Sequence, residues 1–172
     1  MEIDASKAIK ISISAQMKAA SATLKYCVDT CPDSEWDGAH GDYPFSQVVF
    51  HAIFYTDFYL GKDAVPFKDQ SFHRLNAQTF ADYEELEDRL PIRLYKKEFC
   101  ERYLAFCREK IDTALADETA DSLFGDSCIS FRRMTRIELY IYSIRHLQHH
   151  AAQLGLRLQS ITGREMPWVS SG

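Results

Sequence analysis

The stretch Pro44-Phe45-Ser46-Gln47-Val48-Val49-Phe50-His51-Ala52-Ile53-Phe54-Tyr55-Thr56-Asp57-Phe58-Tyr59-Leu60 constrains the fold more than any other part of the chain. Read as a helix, it places apolar or aromatic side chains on nearly every side, so it has to be wrapped by other elements. Pro44 suits a first turn, where its missing N–H costs nothing, and Asp42 lies close enough to cap. Gly61 ends the segment. His51 is the exception inside it, because burying ring nitrogens without partners is costly. Those nitrogens need either a hydrogen-bond partner, such as Tyr55 one turn on, or a metal ion.

Three further helical segments supply the wrapping. The first runs from about Asp4 to Cys27, with Ile13, Met17, Ala20 and Leu24 stepping by four and three. It is expected to stop before Asp29-Thr30-Cys31-Pro32, since proline disfavours helical geometry in the residue ahead of it. A loop from Pro32 to Tyr43 carries Trp36, Gly38 and Gly41. Residues Lys62 to Leu90 are polar and mixed, with a short helix expected near Phe80 to Leu90 and Thr79 or Asp82 as caps. Behind Pro91 a third long helix spans about Ile92 to Leu115, with Tyr95, Phe99, Tyr103, Phe106 and Ile111 on one side. A turn containing Gly125 leads to the fourth, about Thr135 to Ile161, closed by Gly163. Without strand patterns, repeats or a second domain, residues 1–172 read as one all-α four-helix-bundle domain.

Composition agrees and narrows the partners. At 172 residues, 46% hydrophobic and 13% aromatic, the chain is long and apolar enough to bury a core. Its net charge of −5, with basic residues spread among acidic ones, gives no basic face for nucleic-acid phosphate. No apolar stretch approaches the length needed to span a bilayer, so no membrane partner is expected. Met1-Glu2-Ile3-Asp4 lacks the charged and apolar regions of a signal peptide, and the five cysteines include no CxxC pair. The expected location is the cytoplasm, with the thiols filling core in a reducing compartment.

The late helix carries Arg145-His146-Leu147-Gln148-His149-His150-Ala151-Ala152-Gln153. The i, i+4 spacing puts His146 and His150 on one face. About the centre of the stripe Ile137, Tyr140, Ile144, Leu147, Ala151, Leu154 and Leu158, His150 lies roughly 90° away, His146 roughly 130° and His149 roughly 170°. His149 therefore points to solvent, and the other two lie on a flank beside Ser143 and Leu139. If the bundle brings His51 to this pair, three imidazoles complete a site that leaves coordination positions open, as catalytic metals require. Leu147 stands where the zinc-protease pattern HExxH has its glutamate, so the built-in base is missing. Glu138 falls on the wrong side of the helix and Asp57 is off the His51 face, so neither is a catalytic carboxylate. Gln153 is near the ligand face, as a hydrogen-bond partner of a ligand or as a solvated side chain. Tyr55 and Tyr142, each one turn from a ligand, either orient a nucleophile or pack. Trp36 and Trp168 either wall a pocket or are simply buried.

These residues resemble the DinB/YfiT-like superfamily of helical-bundle metalloproteins. The resemblance rests on Phe50-His51-Ala52-Ile53-Phe54-Tyr55-Thr56-Asp57, the His146-x-x-x-His150 pair, and the following Gln153-Leu154-Gly155-Leu156-Arg157-Leu158. The late run is similar to that family's HHxGQ pattern, with Ala152 in place of the usual glycine. The resemblance covers most of the chain and implies up-down-down-up connectivity, with Gly61 to Pro91 as a long crossover between helices 2 and 3. It also implies a homodimer and a divalent metal, zinc or nickel, held by His51, His146 and His150. The implied chemistry is that of a thiol S-transferase or a hydrolase, with a low-molecular-weight thiol or another small molecule as partner. Imidazole ligands alone do not choose among zinc, nickel, copper and iron. The alternative is a non-catalytic metal-binding or dimerising helical bundle, which the absence of an acid/base partner favours.

Overall fold

The computed structural model describes residues 5–39, 43–62, 64–81, 83–86, 92–129, 131 and 133–171. Among these residues the helices are α1 (Ala5–Thr30), α2 (Asp33–Trp36), α3 (Phe45–Leu60), α4 (Ala64–Lys68), α5 (Ser71–Leu75), α6 (Ala77–Phe80), α7 (Lys97–Ala116), α8 (Ala120–Phe124) and α9 (Arg136–Thr162). A 3-10 turn, Glu84–Leu86, lies between α6 and α7. No strand occurs among the described residues, so the architecture is all-α. Four helices are long, and α1 and α3 each lie against both α7 and α9.

The apolar helix α3 is wrapped as its composition requires. Helices α7 and α9 cover two sides, and aromatics from the 61–96 segment cover a third. Phe54 meets Phe67 edge-on at 5.1 Å, Phe50 lies 6.0 Å from Phe80, and Phe50 stacks on Tyr95 at 3.8 Å. Each such ring removed from water contributes about 1.5–3 kcal/mol. Every residue from Phe45 to Leu60 is buried except His51 and Tyr55. The opening in the wrapping is therefore at the histidine.

Several boundaries differ from those read in the sequence, each for a local reason. Helix α1 continues through Asp29 and Thr30, because Pro32 restricts only Cys31, whose N–H still donates to the Cys27 carbonyl at 3.1 Å. Helix α7 starts at Lys97, not Ile92. Tyr95 is held out of a helix by stacking on Phe50 and by accepting a 2.6 Å hydrogen bond from the Trp36 indole, while Ile92 and Leu94 stay exposed. The helix expected over Phe80 to Leu90 is broken by positive φ at Ala81 (45°) and Tyr83 (60°), and the described residues beyond them, Glu84–Leu86, form a 3-10 turn. Asp42 and Asp82 as caps, and residues 87–91, lie outside the described residues. Helix α9 begins and ends where expected. Thr135 and Glu138 form a reciprocal cap, and Gly163 takes the left-handed conformation (φ 70°).

Two buried polar networks fasten the long helices. At the first turn of α9, Arg136 donates through Nε to Glu118 (2.8 Å) and through Nη1 and Nη2 to the carbonyls of Tyr59, Leu60 and Gly61. These carbonyls end α3 and have no partner within their own helix. Tyr140 accepts from Arg136 and donates to Glu118. Nearby in α3, fully buried Asp57 accepts from His73 of α5 (2.8 Å), Tyr103 (2.8 Å) and Lys110 (2.5 Å) of α7. This clips α5 to both α3 and α7.

Burial alone would raise the Asp57 carboxyl, but hydrogen bonds and charge from His73 and Lys110 bring it below its ordinary value of 3.8. A depressed carboxylate stabilises the fold fully above its unfolded value, and that stabilisation is lost as pH falls through the folded value. The urea midpoint is therefore expected to drop steeply below about pH 4. The Asp57→Asn variant should start lower at neutral pH and lose less on acidification. An equal acid loss in variant and parent would contradict this role.

Candidate metal centre

The structure brings the three histidines singled out in the sequence together. His51 projects from the middle of α3, and His146 and His150 project from successive turns of α9, the helix packed beside it. One nitrogen from each can be chosen so that all three lie within 4.8 Å of one another. The ring centroids are 5.2 Å apart for His51 and His146, 4.8 Å for His51 and His150, and 4.5 Å for the late pair. His149 is exposed, as the helical wheel requires, while Leu139 and Ser143 on the ligand flank are buried.

Neighbouring acceptors orient two of the rings. His51 Nδ1 sits 2.7 Å from Glu85 Oε2, which makes it a donor and leaves Nε2 as a lone pair. His150 Nδ1 sits 2.9 Å from Gln153 Oε1, with the same consequence. The freed His150 Nε2 then faces His146 Nε2 at 3.1 Å. Without a cation, one proton has to sit between those two atoms. A metal ion can take its place, since imidazole lone pairs are its natural ligands. Burial lowers the His150 pKa to about 4, so this ring is neutral and ready to ligate at ordinary pH. Zinc–nitrogen bonds of about 2.0–2.1 Å in a tetrahedron hold donors about 3.4 Å apart, so the late pair is already at ligand spacing. The donor set fits a divalent ion with open positions.

Glu85 is the functional residue the sequence reading missed. It lies in the 3-10 turn after α6, and its side chain is only 7% exposed. Tyr55 donates from its hydroxyl to the Glu85 main-chain carbonyl at 2.5 Å, bracing the turn against α3. The arrangement of carboxylate, imidazole and metal position is one that fixes ring orientation and raises ligand basicity. Nothing in the acidic run Glu84-Glu85-Leu86-Glu87-Asp88 marks which carboxylate would face His51.

The other nominated residues sort clearly. Gln153 holds His150. The Tyr142 ring lies nearly parallel to that of His146, 6.2 Å away, and meets Tyr59 edge-on. Trp36 is a core residue against Phe45, and Trp168 is 85% exposed, so neither walls the site. Asp57 and Glu138 are engaged elsewhere, as their faces imply. The described cysteines are unpaired thiols, and burial pushes Cys27 up to about 12 and Cys31 up to about 11, which leaves both unreactive.

His51 and His150, with His146 beside them, open onto a cavity of about 310 Å³ lined by Tyr43, Gln47, Val48, His51, Glu85, His150, Gln153 and Arg157. That is the small end of the range for ligand pockets. Among the described residues no helix is long and apolar enough to cross a membrane. Fold and site together define an all-α protein with a three-histidine cluster at the mouth of a small cavity. Comparison with family models, curated proteins and solved structures returned no match.

Proposed function

We propose that this chain is a DinB/YfiT-like metal-binding protein in which His51, His146 and His150 hold a divalent ion, zinc or nickel, to activate a small thiol or a water. The observation that carries this reading is the convergence of three half-buried imidazoles, two of them oriented by Glu85 and Gln153, at the mouth of a cavity. Support for the bundle comes from α1 and α3 each flanked by α7 and α9, and from the long 61–96 connection that an up-down-down-up order needs. The homodimer and the cytoplasmic location implied by the resemblance belong to the same proposal.

When bound, such an ion lowers the pKa of a coordinated water or thiol and so supplies a nucleophile near neutral pH. The protein's own contribution is orientation and enclosure. Glu85 and Gln153 hold His51 and His150 with Nε2 inward, and Tyr55 steadies Glu85. The cavity limits the substrate to a small molecule. Glu85 is the one carboxylate in the described lining, and His51 occupies it. That leaves no separate base for a water, and it favours the thiol chemistry of an S-transferase over a hydrolase.

Two measurements test this reading. Glu85→Gln is expected to weaken zinc or nickel binding by roughly 10–100-fold without unfolding the protein, as loss of such outer partners does. Turnover of an electrophile by metal-loaded protein should require an added low-molecular-weight thiol. Thiol-independent turnover would favour the hydrolase, and metal binding without any turnover would favour a non-catalytic bundle.

A further inference from the structure

Among the described residues lining the cavity beside the histidines is one fixed positive charge whose purpose the metal does not explain. Arg157 lies seven residues beyond His150 on α9, two turns along the same face and about 10 Å further along the axis. Its side chain is half-buried at the cavity wall, where Nη1 donates to the Tyr43 carbonyl at 3.0 Å. That single bond uses one of five guanidinium N–H groups. Among the described residues no carboxylate pairs with Arg157. The lining's own carboxylate, Glu85, is committed to His51 at the other side of the cavity. Gln47, also in the lining, has its Oε1 engaged by the Arg93 N–H. The cavity is thus polarised, with the imidazole cluster at one end and an arginine with spare donors at the other.

We propose that Arg157 is a specificity residue that anchors the carboxylate of a small ligand whose other end lies at the three-histidine cluster. This rests on the metal-site reading, and it adds the ligand's charge and the residue that reads it. A planar guanidinium meets a carboxylate through two parallel N–H···O bonds, and the half-buried setting strengthens the pair relative to one in open water. The Tyr43 carbonyl fixes the fork, so little side-chain freedom remains to be lost on binding. A neutral ligand of equal size would leave those donors unpaired and bind more weakly.

The test uses two thiols that differ in charge, 3-mercaptopropionate and 2-mercaptoethanol, titrated into the full-length protein loaded with cobalt. The cobalt ligand-field bands report the site, and the sulfur-to-cobalt charge-transfer band reports thiol binding. The parent protein is expected to bind 3-mercaptopropionate at least about tenfold more tightly, a factor worth 1.4 kcal/mol. The preference should shrink as salt is added. Arg157→Gln should erase the preference while leaving the cobalt bands and 2-mercaptoethanol binding as they were, and Arg157→Lys should restore part of it. Equal binding of the two thiols by the parent protein, with normal cobalt bands, would overturn the Arg157 assignment alone. A preference that survives in Arg157→Gln would do the same. Absence of cobalt bands in the parent would overturn the metal reading and this one together. The parent measurement stands even if a variant fails to fold.

Discussion

Replacing Arg136 with alanine is expected to cost the fold about 3–5 kcal/mol, the range seen when one partner of a buried, hydrogen-bonded ion pair is removed. The reason lies in what is left behind. Glu118 stays buried, having lost the guanidinium that balances it, and the last carbonyls of α3 lose their donors at Tyr59, Leu60 and Gly61. The Glu118 carboxyl is lowered from its ordinary value of 4.5 in spite of burial, by hydrogen bonds from Ser122, Arg136 and Tyr140. Without Arg136 that carboxyl should take up a proton more readily, and the variant should lose part of its acid sensitivity along with its stability. Denaturant unfolding of both proteins, read by helical circular dichroism, measures the loss. Arg136→Met, which restores bulk but not donors, should remain almost as unstable as Arg136→Ala. Recovery of parental stability in Arg136→Met would mean that packing, not the hydrogen bonds, is what Arg136 supplies.

The second large effect is metal-linked stability. A ligand that binds only the folded chain stabilises it by about 4.1 kcal/mol when its concentration is 1,000 times its Kd. For a chain of 172 residues each kcal/mol moves Tm by about 2–4 °C, so saturating zinc or nickel is expected to raise Tm by roughly 8–16 °C. The same rise should be absent in His146→Ala. That substitution also removes the Nε2···Nε2 hydrogen bond of the late pair, so the rise is read for each protein against its own metal-free Tm. A metal-induced rise of equal size in parent and His146→Ala would place the binding somewhere other than this cluster.

The ligand face was legible because helix geometry is periodic. His146 and His150 are one turn apart, the apolar stripe fixes which way each points, and His149 is exposed as that stripe demands. The end of α9 was equally legible, since Gly163 takes a conformation that other residues rarely adopt. Glu85 was not legible, because no period governs the 62–96 segment and its position is set by packing from far along the chain. Tyr83 reaches its positive φ with its ring against His73 and Phe80, and the Tyr55 hydroxyl reaches the Glu85 carbonyl from α3. The start of α7 misled for a related reason. Ile92, Leu94 and Tyr95 look like helical apolar residues, but the ring of Tyr95 stacks on Phe50 and its carbonyl accepts from the Trp36 indole, contacts made from a non-helical backbone. Likewise Arg136 and Glu118 reveal their pairing only when α3 ends beside the start of α9.

The most direct measurement is the metal content of protein prepared without a histidine tag, dialysed against zinc or nickel and analysed beside His51→Ala, His146→Ala and His150→Ala. One ion per chain in the parent, falling to near zero in each variant while all four remain folded, is the outcome expected if imidazoles from α3 and α9 share a single ion. Retention of a full equivalent by His51→Ala, or none in the parent, would contradict that arrangement.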